Sequence, residues 1–230
     1  MGHGTFEGTT VDVVPHRNDS AIWTIVVAAG SGTRFGKPKQ FEFLSALTVL
    51  DHAITQALSV SDGVVVVLAT DRLGLQLPAG CISVEGGATR SESVRAGLAA
   101  VPENVGIICV HDAARPLASQ DLFRRVIESV RGGADGAVPG IAVTDTIKEV
   151  DTFGVVKRTV PRALLVAVQT PQAFAAAMLR EAHELGEEGT DDAELVERAG
   201  GKIVVVNGEI TARKITMPDD LEWARNEVKK

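Results

Sequence analysis

Apolar positions along this chain arrive as short continuous runs, and between them lie stretches in which they recur every three or four residues. Trp23 to Ala29 (WTIVVAA) is apolar throughout and stops at Gly30, so it predicts a buried first strand. Val49, Leu50, Ala53, Ile54, Ala57 and Leu58 then repeat at helical spacing. Val64 to Ala69 (VVVVLA) predicts a second strand, Cys81 to Val84 a third and Ile107 to Val110 a fourth. Thr89-Arg90-Ser91-Glu92 has capping-box spacing and predicts a helix carrying Val94, Leu98 and Val101. Leu122, Phe123, Val126, Ile127 and Val130 mark the helix after the fourth strand.

The middle of the chain departs from this alternation. Thr146 to Val150 and Val155 to Thr159 flank a turn at Asp151-Thr152-Phe153-Gly154, which predicts an antiparallel hairpin arm. An isolated hairpin is marginal in water, so the arm is expected to pack on something else, such as a second subunit. A helix near Ala173 to Leu185, another near Asp192 to Arg198, a strand at Lys202 to Val206 and a helix from Pro218 complete the pattern. Strands alternating with helices predict a Rossmann-like α/β fold: a mostly parallel twisted sheet, helices on both faces, and a β-hairpin arm at about 143–162. Residues 21–230 read as one domain and residues 1–20 as a flexible leader.

Composition narrows the partners. The chain has 230 residues, 45% of them apolar, and a formal charge of −7. A nucleic acid or an anionic membrane selects for a basic face, so neither is expected. A small anion needs only a local cluster of donors and remains open. No apolar run reaches membrane-spanning length, the first twenty residues lack a signal-peptide pattern, and a cytoplasmic location is expected. Cys81 and Cys109 lie in strand-like runs and read as buried thiols.

The first candidate for chemistry is the segment Ala28-Ala29-Gly30-Ser31-Gly32-Thr33-Arg34-Phe35-Gly36-Lys37-Pro38-Lys39-Gln40. It follows the first strand, where open α/β sheets bind ligands. Glycines let backbone amides approach phosphate, and Arg34, Lys37 and Lys39 add cations in an acidic protein. The segment is no P-loop, and Gly30, Gly32 and Gly36 are one residue too widely spaced for a dinucleotide fingerprint. An NAD(P)-binding oxidoreductase is therefore disfavoured.

That loop is followed in order by His111-Asp112-Ala113-Ala114-Arg115-Pro116, Asp145-Thr146-Ile147-Lys148, Gln169-Thr170-Pro171-Gln172 and Lys214-Ile215-Thr216. Together these motifs resemble the 2-C-methyl-D-erythritol 4-phosphate cytidylyltransferases of non-mevalonate isoprenoid synthesis, over residues 23 to 228. Ribitol-5-phosphate cytidylyltransferases share most of them, so the resemblance leaves the acceptor open between two polyol phosphates. It implies transfer of CMP from CTP to a polyol phosphate with Mg2+ as cofactor. Arg34 and Lys39 match catalytic residues that stabilise the transition state. Gly30 and Gly32 match the triphosphate cradle, Ala28 and Ala29 match further CTP contacts, and Gly86, Gly87, Ala88 and Ser93 match the cytosine-reading segment. Asp112 matches the metal ligand. Lys214, Arg162 and Thr170 match acceptor-phosphate contacts, with Lys214 also catalytic, and Thr146 and Thr190 match polyol contacts. Arg115 is expected to orient Asp112, touch the acceptor or form a structural ion pair. Lys37 reads as a surface residue and His111 as structural. In the family the arm reaches a neighbouring subunit, which implies a homodimer with a composite site. Members often carry Asp where this chain has Ala88.

Overall fold

The computed structural model describes residues 20–32 and 35–229. Its strands are β1 (Ile22–Val27), β2 (Gly63–Leu68), β3 (Cys81–Glu85), β4 (Ile107–Asp112), β5 (Gly136–Ala142), β6 (Ile147–Val150), β7 (Val156–Val160), β8 (Val166–Val168), β9 (Gln172–Ala175) and β10 (Ile203–Asn207). The helices are α1 (Val49–Leu58), α2 (Arg90–Ala100), α3 (Gln120–Arg131), α4 (Ala176–Glu184), α5 (Asp192–Arg198) and α6 (Pro218–Val228). The main sheet runs β10-β5-β9-β4-β1-β2-β3, with β8 alongside β5.

Continuous apolar runs in β1, β2 and β4 correspond to strands covered on both faces, and every residue of β2 and β4 is buried. Alternation sends Val64 and Val66 to one face and Val65 and Val67 to the other. The first face meets Leu50 and Ile54 of α1 and Leu122, Phe123 and Val126 of α3. The second meets Val94 and Leu98 of α2, Leu179 of α4 and Leu195 of α5. A third cluster joins Leu221 and Ala224 of α6 to Leu44, Val49 and Ile215, with Phe35 packed against it.

β1 lies between β2 and β4, parallel to both, and its last residue Val27 is level with Asp112. The glycine loop and Asp112 therefore emerge side by side at the carboxyl edge of the sheet. The sheet is mixed because β9 runs antiparallel to both β4 and β5. β9 corrects the expectation of a helix from Ala173: residues 173–175 are strand, and the helix begins at Ala176. Pairing of Ile107 with Ala175 and of Cys109 with Ala173 outweighs the helix propensity of the alanines. β5 adds a strand where none is read from the sequence. Pro139 and Gly136 interrupt its apolar pattern, yet a Cβ on Gly136 would lie 2.5 Å from the Phe174 ring.

β6 and β7 form the expected hairpin as a separate two-stranded sheet. Its turn is closed by Asp151, whose Oδ1 accepts from the Phe153 and Val155 amides, each at 2.9 Å. Among the described residues no helix is long and apolar enough to cross a membrane. Cys109 is buried, as expected, whereas Cys81 on the edge strand β3 is half-buried because β3 has a neighbour on one side only.

Candidate active site

A cavity of about 460 Å³ opens at the carboxyl ends of β1 and β4. On one side it is lined by Ala28, Ala29, Gly30, Gly32 and Lys39, and on the other by Gly87, Ala88 and Ser93. Asp112 and Lys214 also line it. A smaller pocket of about 180 Å³ adjoins it, lined by Arg115, Thr170, Thr190 and Asp191. Arg90, Asp112 and Lys214 border both and form the wall between them.

The glycine loop is braced from beneath. Gln40 is 5% exposed, and its Nε2 donates to the carbonyls of Ala28 at 2.7 Å and Gly30 at 2.9 Å. Two carbonyls at the start of the loop are thereby occupied. Sequence reading missed Gln40 because its role depends on chain reversal at Gly32, where φ is +70°. Lys37 pairs with Glu42 at 2.7 Å on the surface, outside both pockets. The expected catalytic residue Arg34 lies outside the described residues.

Opposite the loop, α2 begins with the expected capping box: Thr89 Oγ1 accepts from the Glu92 amide, and Glu92 accepts from the amides of Thr89 and Ala88. The Ala88 N–H is thus already committed. Gly86 fits tightly, since a Cβ there would stand 2.5 Å from Ala29 Cβ and 2.9 Å from Ser93 Oγ. The Ser93 hydroxyl donates to the Thr89 carbonyl at 2.9 Å and keeps its lone pairs.

Asp112 is 8% exposed and doubly paired: Lys214 Nζ lies 2.6 Å from Oδ2, and Arg90 Nε 3.3 Å from Oδ1. Burial alone would raise this carboxyl, but Arg90 and Lys214, with a smaller part from Arg115, hold it well below the usual carboxylate range. Asp112 is therefore ionised at neutral pH. Its amide donates to Thr170 Oγ1 at 3.0 Å, and Thr170 Oγ1 lies 3.2 Å from His111 Nδ1. The Arg115 guanidinium donates to the carbonyls of Ala212 at 2.7 Å and Val168 at 3.4 Å, so it ties β8 to the segment before Lys214 and makes no hydrogen bond to the Asp112 carboxylate.

Thr190 lines the smaller pocket, with its hydroxyl on Glu194. Thr146 and Arg162 do not line either pocket. Both are exposed at the base of the hairpin, and the Arg162 guanidinium caps the Thr144 carbonyl. Arg90 was not singled out from the sequence for chemistry. Its place directly after the Thr89 cap is the one signal it gives.

His111 is wholly buried, and burial lowers its pKa to about 4, so the imidazole is neutral at pH 7. Between pH 6.5 and about 4 the unfolded chain takes up a proton at this position and the folded chain does not. Stability is accordingly full above pH 6.5 and is lost as pH falls toward 4, by about 3 kcal/mol at most. Chemical denaturation across that range should show this slope, and His111→Gln should flatten it whatever its own stability.

Comparisons with known proteins give the family. The family model described as 2-C-methyl-D-erythritol 4-phosphate cytidylyltransferase matches residues 22–230. The chain is 44% identical over 212 residues to the 2-C-methyl-D-erythritol 4-phosphate cytidylyltransferase of Rhodococcus jostii, covering 89% of this chain and 93% of that one. It is 41% identical over 219 residues to the enzyme of the same name from Rubrobacter xylanophilus, covering 89% and 94%. The crystal structure of the Thermus thermophilus cytidylyltransferase matches with a TM-score of 0.76 at 35% identity, over 90% of this chain and 98% of that one. Fold, motif order and cleft thus coincide in one protein, and the chain belongs to the 2-C-methyl-D-erythritol 4-phosphate cytidylyltransferase family of nucleotidyltransferases.

Proposed function

We propose that the larger cavity holds CTP, the smaller one holds 2-C-methyl-D-erythritol 4-phosphate, and that CMP passes between them across the wall formed by Arg90, Asp112 and Lys214. The observation that carries this reading is the wall itself, where two cations meet one ionised carboxylate between two pockets.

A phosphate monoester has its second pKa near 6 and arrives mostly dianionic. Its oxygen can attack the α-phosphorus of CTP without a general base, and pyrophosphate leaves. What the protein must supply is alignment of two polyanions and neutralisation of the charge that builds between them. Gly30, Gly32 and Lys39 line the cavity assigned to the triphosphate, and the sequence puts a second cation, Arg34, between Gly32 and Lys39. Lys214, half-exposed and tethered to Asp112, faces both anions.

Among the described residues no group of three or more His, Cys, Asp or Glu side chains could hold a metal alone. One ionised carboxylate suits Mg2+ that takes its remaining ligands from phosphate oxygens and water. Mg2+ held by Asp112 and the triphosphate would neutralise charge on the α-phosphate.

Thr146 and Arg162 are assigned to a composite site. Phe153 is 90% exposed at the tip of the hairpin, and Leu164 is 89% exposed just beyond it. An apolar arm of this kind supports a homodimer in which one protomer's arm brings Thr146 and Arg162 to its partner's acceptor pocket. A cytoplasmic location is part of the same proposal.

Pyrophosphate release, measured with each of four nucleoside triphosphates against methylerythritol phosphate and ribitol phosphate, tests the reading. Turnover is expected with CTP alone and with methylerythritol phosphate as the preferred acceptor; turnover of ribitol phosphate only would reassign the smaller pocket. In the same assay Lys39→Ala should lower kcat by more than about tenfold with a modest rise in KM for CTP. A KM effect with unchanged kcat would make Lys39 a ground-state contact.

A further inference from the structure

Arg90 begins α2 directly after the Thr89 cap, and its guanidinium is shared between two carboxylates. Nε lies 3.3 Å from Asp112 Oδ1, and Nη1 lies 2.8 Å from Asp192 Oδ2. Asp192 is fully buried, begins α5 and lines neither pocket. Its other oxygen is 3.1 Å from Nε2 of His183, itself 3% exposed. An aspartate at the start of a helix could sit in solvent and still favour the helix dipole. Burying it costs several kcal/mol unless a partner compensates, so its placement against Arg90 needs a reason.

We propose that Arg90, anchored by Asp192, is a positioning residue for CMP transfer: it holds the Asp112 carboxylate in the pose that the bound triphosphate meets, and Asp192 acts only through Arg90. The inference rests on the function proposed above. A guanidinium whose Nε hydrogen-bonds one carboxylate while its Nη1 ion-pairs with another is restrained from turning away from either. A lysine at the same place offers one mobile point charge and cannot serve both. The pairing is kept in register by further ties between the start of α2 and the loop before α5. Thr89 Oγ1 donates to Glu188 at 2.9 Å, Arg95 donates to the same carboxylate at 3.0 Å, and Ser91 Oγ accepts from the Gly189 amide at 3.3 Å. Thr190, in the acceptor pocket, belongs to that loop, so the same contacts hold the donor and acceptor walls at a fixed spacing.

The test compares steady-state kinetics and melting temperature for wild type, Asp192→Asn, Arg90→Lys, Arg90→Ala and the Arg90→Lys/Asp192→Asn double variant. Asp192→Asn should lower kcat about tenfold while KM for CTP and for methylerythritol phosphate stays within about twofold. The double variant should be no slower than Arg90→Lys, because both changes break one linkage. Guanidinium ion at millimolar concentration should restore part of the Arg90→Ala turnover when Asp192 is present, and none when Asp192→Asn is added. Full kcat in Asp192→Asn, additive losses in the double variant, or no rescue of Arg90→Ala would overturn the inference. Arg90 is a quarter exposed at its side chain, so even if Asp192→Asn does not fold, guanidinium rescue of Arg90→Ala still decides whether a guanidinium at this place serves turnover. An inactive wild type refutes the functional reading itself, whereas a full-rate Asp192→Asn beside an active wild type refutes only this positioning role.

Discussion

Asp112→Asn should reduce kcat by about 10²–10³ at saturating substrates, the loss found when one preorganised electrostatic contact is removed from a transition state. The substitution preserves shape and removes one negative charge from a place where Lys214 and Arg90 converge at 2.6 Å and 3.3 Å. Three consequences follow from that single change. Lys214 loses the partner that holds it at the wall and moves toward water, which its half-exposed side chain permits. Arg90 keeps Asp192 but loses its second anchor. The carboxylate suited to Mg2+ is replaced by an amide. The folded state should lose about 1–3 kcal/mol, less than the about 3–5 kcal/mol typical of breaking a wholly buried pair, because Lys214 can rehydrate. The variant should therefore melt cooperatively a few degrees lower and remain inactive well below that temperature. Retention of more than a tenth of wild-type kcat would remove Asp112 from the reaction.

Much of this arrangement is legible in the sequence. β1, β2 and β4 show as uninterrupted apolar runs because both faces of the sheet are covered, and the glycine loop and Asp112 stand directly after two of them. β5 and β9 are not legible in the same way. In β5, Gly136 and Gly140 are required by close neighbours, and glycine and proline weaken any local strand signal. In β9, Ala173 and Ala175 carry helix propensity that antiparallel pairing overrides.

The same division holds within the site. Residues whose chemistry depends on local spacing, such as Gly30, Gly32, Lys39 and the Thr89 capping box, can be read directly. Gln40, Arg90 and Asp192 cannot, because their partners come from distant parts of the chain. Ala88 illustrates the converse case. Its side chain offers the base no polar atom, while its amide is occupied by Glu92 at 2.6 Å. Any contact of Ala88 with the base therefore falls to its carbonyl.

Three glycines in the phosphate loop should fail in three different ways when changed to alanine, and Gly32→Ala should be the most severe. At Gly32 φ is +70°, a conformation that costs an L-residue about 1–2 kcal/mol. A Cβ there would also stand 2.0 Å from the Lys37 carbonyl oxygen, and backbone cannot yield as a flexible side chain can. The turn is closed by the Gly32 carbonyl, which accepts from the amides of Phe35 at 2.8 Å and Gly36 at 2.9 Å. Gly32→Ala must therefore reroute the chain between the cradle and Lys39, raising KM for CTP by at least about tenfold and lowering kcat by about 10²-fold, since both ground-state and transition-state contacts are displaced. Gly36→Ala meets nothing within 4 Å and bears only the strain of its φ of +87°, so it should lower stability by about 1 kcal/mol and leave turnover largely intact. Gly30→Ala carries neither strain nor clash, but its new methyl would project into open space beside the cavity. It should melt like the wild type and bind CTP poorly, because a close approach of phosphate to bare amide is what that glycine permits. Equilibrium CTP binding and melting temperature measured on the three variants separate these effects. Tight CTP binding by Gly30→Ala would show that the triphosphate does not lie against this loop.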